Sequence, residues 1–211
     1  TVVIKDAAEA EITFSITFES EPNFSNNNYY IIYGNSENID INYLLSTHYF
    51  FIPGESYDSS VGESITDDGI NYFYDNFFES WAGILTLKSE DLSITEGPFT
   101  SSSESDEADR ITDHLSYIST NLSIDNYSYS SSGTLTFTIA SSSLSLENDI
   151  LYFTIITSTG NDLNNINDLI TDIQIIEVVI NSPPTTSTND TSVFPQLVGA
   201  ANIESWTITV Q

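Results

Sequence analysis

Basic residues are almost missing from this chain. Lys5, Lys88 and Arg110 are the only three among 211 residues, against 31 acids, and the formal charge is -28. An ordinary domain of this size carries roughly twenty or more cations, so the charge reflects absent lysine and arginine rather than a surge of acids. Ser, Thr and Asn occupy the vacated positions. Such a field repels phosphate, which argues against a nucleic-acid partner and against an anionic membrane surface. Repulsion among the carboxylates has to be relieved by cations, low pH or salt, and the expected setting is outside the cell. A halophilic cytoplasmic chain would have few large apolar residues, whereas Ile, Tyr and Phe are plentiful here.

Cysteine is absent, which excludes a disulfide framework, a thiolate nucleophile and a thiolate metal site. No apolar run approaches the length of a membrane-spanning helix. Residue 1 is threonine, and the expectation is that a signal peptide has been removed, with trimming of the sequence as the alternative. No G-x-S-x-G nucleophile elbow occurs. Of the two histidines, His48 sits beside Tyr49 and Phe50, and His114 follows Asp113 on an expected helix. Adjacent helical residues do not face each other, so both read as structural. So many acids make a pair suited to glycoside cleavage easy to find by chance. The aromatics Tyr72, Phe73, Tyr74 and Trp81 read as core packing. No enzymatic role is expected.

Strand patterns dominate what is present. Ile12, Phe14, Ile16 and Phe18 alternate with Thr13, Ser15, Thr17 and Glu19, and Leu135, Phe137 and Ile139 alternate with threonines. Trp206, Ile208 and Val210 face one way. NYYIIYG (28–34), THYFFIPG (47–54) and GILTLKS (83–89) add further strands. DILYFTIITS (149–158) and DIQIIEVVI (172–180) are more continuously apolar and are expected to be central. Two stretches carry helical spacing: Ala108, Ile111, Leu115 and Ile118 within 103–122, and Ile70, Phe73, Phe77 and Trp81 within 70–83. The fold class is therefore mainly β, an antiparallel β-sandwich or jelly-roll-like domain of about eight to ten strands with one or two short inserted helices. Residues 1–10 are expected to form a separate strand, and 11–211 one sandwich domain.

Calcium is the most plausible cofactor, because oxygen-rich acidic loops suit a hard cation. The candidate ligands are Asp67, Asp68 and Asp75 around Gly69, then Glu104, Asp106 and Asp109, with Asp162 and Asp168 in a third loop. The first loop is not an EF-hand, since alignment on Gly69 puts Ser64 at the first ligand position and Tyr72 at the ninth. Candidate glycosylation sequons lie at Asn23, Asn121, Asn126 and Asn189. They are no more than a chain this rich in Asn, Ser and Thr supplies by chance.

The strands themselves carry the functional reading. Edge strands usually bear lysine, proline or bulges that block pairing with another chain, and here only Lys5 and Lys88 could do so. Between Ile4 and Glu11 the chain has no Gly, Asn or Pro to form a tight hairpin. The expected function is a secreted structural subunit that polymerises with copies of itself into a filament, pilus or surface layer. Val2, Val3 and Ile4 would complete the sheet of a neighbouring subunit as a donor strand. The alternatives are a monomeric extracellular carbohydrate-binding or adhesive module, calcium-dependent and bound to glycans, and a virion or sheath coat protein.

Overall fold

The computed structural model describes residues 10–37, 39, 41, 49–50, 81–88, 91–96, 118–122, 125–159, 164–180, 182–188 and 199–211. These residues form strands and two short 3-10 turns, at Ser141–Ser143 and Gly199–Ala201. The strands are β1 (Glu11–Phe18), β2 (Asn27–Gly34), β3 (Tyr49–Phe50), β4 (Gly83–Lys88), β5 (Asp91–Glu96), β6 (Ile118–Leu122) and β7 (Asp125–Tyr129). They continue with β8 (Thr134–Ala140), β9 (Ile150–Thr159), β10 (Asn164–Leu169), β11 (Gln174–Glu177), β12 (Thr185–Thr188) and β13 (Ile203–Val210). Two antiparallel sheets pack face to face as a β-sandwich.

Sheet A has the order β12-β13-β1-β8-β7. Its centre is β1, whose alternating residues pair along their length with both neighbours. Phe14 stands opposite Ile208 on one side and Phe137 on the other. The odd residues Thr13, Ser15 and Thr17 project away from the core and meet hydroxyls across the strands. Thr13 Oγ1 lies 2.8 Å from Thr138 Oγ1, Ser15 Oγ 3.1 Å from Thr136 Oγ1, and Thr17 Oγ1 3.3 Å from Thr134 Oγ1. A fourth pair, Thr186 and Thr207 at 2.9 Å, extends the hydroxyl ladder to the β12 edge. One face of this sheet is core and the other is half-wet, as alternation requires.

Sheet B contains β3-β10-β9-β2-β4-β5-β6, with β11 also paired to β9. In its central strands β2, β4 and β9 both faces are buried. Tyr29, Ile31, Tyr33, Leu85, Phe153 and Ile155 join the core shared with sheet A. On the opposite face Tyr30, Ile32, Ile84, Ile156 and Leu169 are also fully buried. The register sets Thr86, Tyr30, Ile156 and Leu169 in one row and Ile84, Ile32 and Thr154 in the next. β10 and β11 share one edge of β9 in succession, with residues 170–173 standing against only Thr154 and Ile155. The excess is accommodated as a bulge: Ile170 N–H donates to Ile155 O (3.0 Å) and Thr154 Oγ1 donates to Ile170 O (2.7 Å).

Aromatic rings fill the interface between the sheets. Phe14 stacks on Phe137 with centroids 5.1 Å apart, and meets Phe153 of the other sheet edge-on at 6.2 Å. Phe153 in turn meets Trp206 edge-on at 5.3 Å. Tyr33 lies across Gly83, where a Cβ would come within 2.6 Å of its hydroxyl oxygen, so only glycine fits opposite that ring. Gly133, at φ +95, closes the β7–β8 turn against the backbone of Phe18 and likewise requires glycine.

Several expectations change. Thirteen strands are described, more than the eight to ten expected. The 103–122 helix does not extend through its last expected core residue. Ile118–Leu122 is β6, paired with β5 from Leu92↔Leu122 to Glu96↔Ile118. A row of partners along β5 outweighs a short helical periodicity, and the β-branched Ile118 and Thr120 suit a strand. Trp81 is likewise not helical, and Gly83 already belongs to β4. The rest of both stretches lies outside the described residues. DIQIIEVVI is not central: β11 pairs only with β9 among the described residues, and Ile175 and Val179 are exposed.

Candidate assembly edge

Strand edges are where a sheet offers unpaired backbone groups to another chain. Among the described residues the outermost strands are β12 and β7 in sheet A and β3, β6 and β11 in sheet B. None contains lysine or arginine. Lys88 ends β4, which is flanked by β2 and β5, so it guards no edge. Lys5 lies outside the described residues.

Sheet A is protected by other means. β12 has only four residues and follows directly on Pro183 and Pro184, which have no N–H to offer a neighbour. β7 is bulged, its register slipping between Asp125↔Thr138 and Ser128↔Thr136. β11 is as short as β12 and follows the bulge at 170–173, but its own pairing with β9 runs without a register shift and it contains no proline. Its side chains alternate so that Ile176 enters the core while Ile175 stands 51% exposed, and Val179 just beyond is 52% exposed. Apolar side chains beside an unguarded strand form a surface that another strand can cover.

Ala10 lies at the end of sheet A from which the chain crosses to sheet B. Ala10 is fully buried, and its carbonyl accepts a hydrogen bond from Ser141 N–H (2.7 Å). Glu11 and Gln211 exchange backbone hydrogen bonds of 2.9 and 3.0 Å. Residues 141–149 cross from this end of sheet A to Ile150, the partner of Glu177 in β11. Asn148 and Asp149, both left-handed at φ 58 and 55, turn that crossing into β9, and Asp149 O accepts Val178 N–H (2.7 Å). Ala10 therefore belongs to its own sandwich, and any crossing to a neighbour is confined to residues before it. Val2, Val3 and Ile4 themselves lie outside the described residues.

At the opposite end, three polar side chains of sheet B hold the segment that leads into β13. Tyr29 of β2 donates from its hydroxyl to Ala200 O (2.8 Å), and Thr157 of β9 donates to Ala201 O (2.6 Å). Asp168 of β10, fully buried, accepts Ile203 N–H on Oδ2 (2.8 Å) and Leu169 N–H on Oδ1 (2.9 Å). Burial raises the Tyr29 pKa, opposed by the Asn23 amide and the Asn27 side chain. The latch fixes how the two sheets meet, and it was invisible in the sequence because nothing marks one acid among 31 for burial.

Asp168 is thereby placed as a structural bracket between sheets, since each of its oxygens is turned to a backbone amide. Asp162 and the other calcium candidates, Asp67, Asp68, Asp75, Glu104, Asp106 and Asp109, lie outside the described residues, as do His48 and His114. Among the described residues no three acids or histidines gather into a cation site. Asn23 is exposed, and its side chain accepts Ser25 N–H (3.1 Å) in a turn between β1 and β2. Asn121 and Asn126 fall within β6 and β7, and Asn189 lies outside the described residues. No helix among the described residues is long and apolar enough to cross a membrane. Compared with known protein families, with curated proteins and with solved structures, the chain matches none.

Proposed function

We propose that this protein is an extracellular structural subunit that assembles with copies of itself by β-strand addition, forming a filament, pilus or surface layer. The observation that carries this reading is the β11 edge. β7 is bulged and β12 follows two prolines, while β11, four residues long, pairs with β9 without a register shift, contains no lysine or proline and presents Ile175, with Val179 just beyond it, to solvent. The donor is the stretch Thr1–Lys5, where Val2 and Ile4, or Val3 in the other register, supply apolar side chains. Backbone hydrogen bonds along β11 give direction, and burial of Ile175 and Val179 gives affinity. With a net charge of -28 on every copy, association requires screening, so assembly is expected to rise with salt or divalent cations.

Sedimentation velocity over a range of concentrations tests this. The intact chain should form species well above its 23.3 kDa mass. Deletion of Thr1–Ala8 should leave a folded monomer, and so should Ile175→Lys, because a charged residue on an edge is the usual block to strand pairing. A monomer at every concentration and salt, or undiminished assembly by the deleted chain, would contradict the proposal.

A further inference from the structure

A second surface at the latch end of the sandwich has a different chemistry. Residues 19–26 cross there from β1 to β2, tied down by Glu19 N–H to Asn202 O (3.0 Å) and Ser20 N–H to Gly199 O (3.1 Å). Beyond these ties Glu21, Pro22, Asn23, Phe24 and Ser25, together with Tyr129 at the end of β7, enclose an open groove of about 380 Å³. Its size lies in the lower part of the range for small-molecule sites.

The groove is built rigidly. Asn23 N–H donates to the Tyr29 hydroxyl (2.8 Å), and Asn23 O accepts the amides of Asn26 (3.2 Å) and Asn27 (2.9 Å). A relay of edge-to-face rings leads outward from the core: Phe18 to Tyr29 at 5.0 Å, Tyr29 to Phe24 at 5.1 Å, and Phe24 to Tyr129 at 5.6 Å. Tyr127 backs Tyr129 at 6.3 Å. The relay ends on Tyr129, which is 43% exposed. A ring fixed by its neighbours and left open to water loses little freedom when a ligand stacks on it.

We propose that this groove binds a neutral saccharide. One or two sugar rings would place their C–H face on Tyr129 and Phe24, with hydroxyls directed to the Glu21 carboxylate, the Asn23 amide and the Ser25 hydroxyl. The remaining lining decides the class of ligand. Among the described residues no lysine or arginine lines it, and the charge of the whole chain repels anions. An organic cation would be served by an aromatic box with several carboxylates. Here the two lining rings meet at 65° and Glu21 is the only acid among the described lining residues. This site is on the far end of the sandwich from the β11–Ala10 region and does not depend on the assembly reading.

The test is a titration of the full chain with neutral hexasaccharides of glucose, xylose, mannose and N-acetylglucosamine, followed by calorimetry and by NMR of the aromatic ring protons. At least one hexasaccharide should bind and shift the Phe24 and Tyr129 resonances. Tyr129→Ala should weaken that binding about tenfold or more, whereas Tyr129→Phe and Thr186→Ala on the β12 edge should keep it within about twofold. The wild-type ring shifts stand as the readout if Tyr129→Ala fails to fold. Absence of binding by all four sugars would overturn the proposal. Binding that leaves those rings unshifted or survives Tyr129→Ala would do the same. So would binding of spermidine alone, abolished by Glu21→Gln, which would assign the groove to a cation instead.

Discussion

Sheet A and sheet B share one core but meet water differently. In β1 of sheet A the side chains divide cleanly: Phe14 and Ile16 go inward, and Thr13, Ser15 and Thr17 go outward to a ladder of hydroxyl pairs. In sheet B the central strands β2 and β9 are buried on both sides, with Tyr29 on one face and Tyr30 on the other, each fully enclosed. The edges differ in the opposite sense. The outer strands of the wet sheet are bulged or preceded by proline, and β11, one of the outer strands of the dry sheet, leaves Ile175 in solvent. A strand buried on two faces tolerates a charge only where its hydrogen bonds are met within the protein, as those of Asp168 in β10 are. The exposed Ile175 on β11 is the ground for the assembly proposal.

The largest expected effect comes from breaking what the sheets share. Phe14 touches rings of both, and Phe14→Ala should cost about 3–5 kcal/mol in chemical denaturation. A loss below about 1 kcal/mol would mean that the two sheets are not packed through this ring. Next is the latch. Asp168→Ala leaves two buried amides, of Leu169 and Ile203, without their acceptor, and should cost about 2–6 kcal/mol at about 1–3 kcal/mol for each. Smaller and sharper is the same substitution made once in each sheet. Thr154→Val in sheet B strips the buried Ile170 carbonyl of its donor and should cost about 1–3 kcal/mol. Thr136→Val in the wet ladder, where water can replace the lost partner, should stay within about 0.5 kcal/mol. Equal costs at the two sites would erase the distinction between the faces.

The two sheets were also unequally legible. Alternation in 11–18, 134–140 and 203–210 identifies the half-buried strands of sheet A and the inward direction of Trp206, Ile208 and Val210, because a wet face imposes a period of two. No such contrast exists in β2 or β9, where an apolar run is compatible with either face. The same ambiguity misplaced DIQIIEVVI: an edge strand with exposed Ile175 and a central strand have the same composition. The Asn148–Asp149 pair does carry a signal, since consecutive left-handed residues of this kind mark a tight turn. The groove beside Tyr129 could not be read from the chain. Phe24 and Tyr129 are 105 positions apart, and only the pairing of β7 with β8, beside β1, brings them together.

The absence of cysteine allows the assembly edge to be tested by covalent capture. Chains carrying Ile4→Cys are mixed with chains carrying Ile175→Cys under oxidising conditions, and the products are separated by mass. Strand addition at β11 should give abundant covalent pairs containing one chain of each kind. If such pairs are no more frequent than those formed between Ile4→Cys and a control Thr186→Cys chain, the β11 edge is not the acceptor.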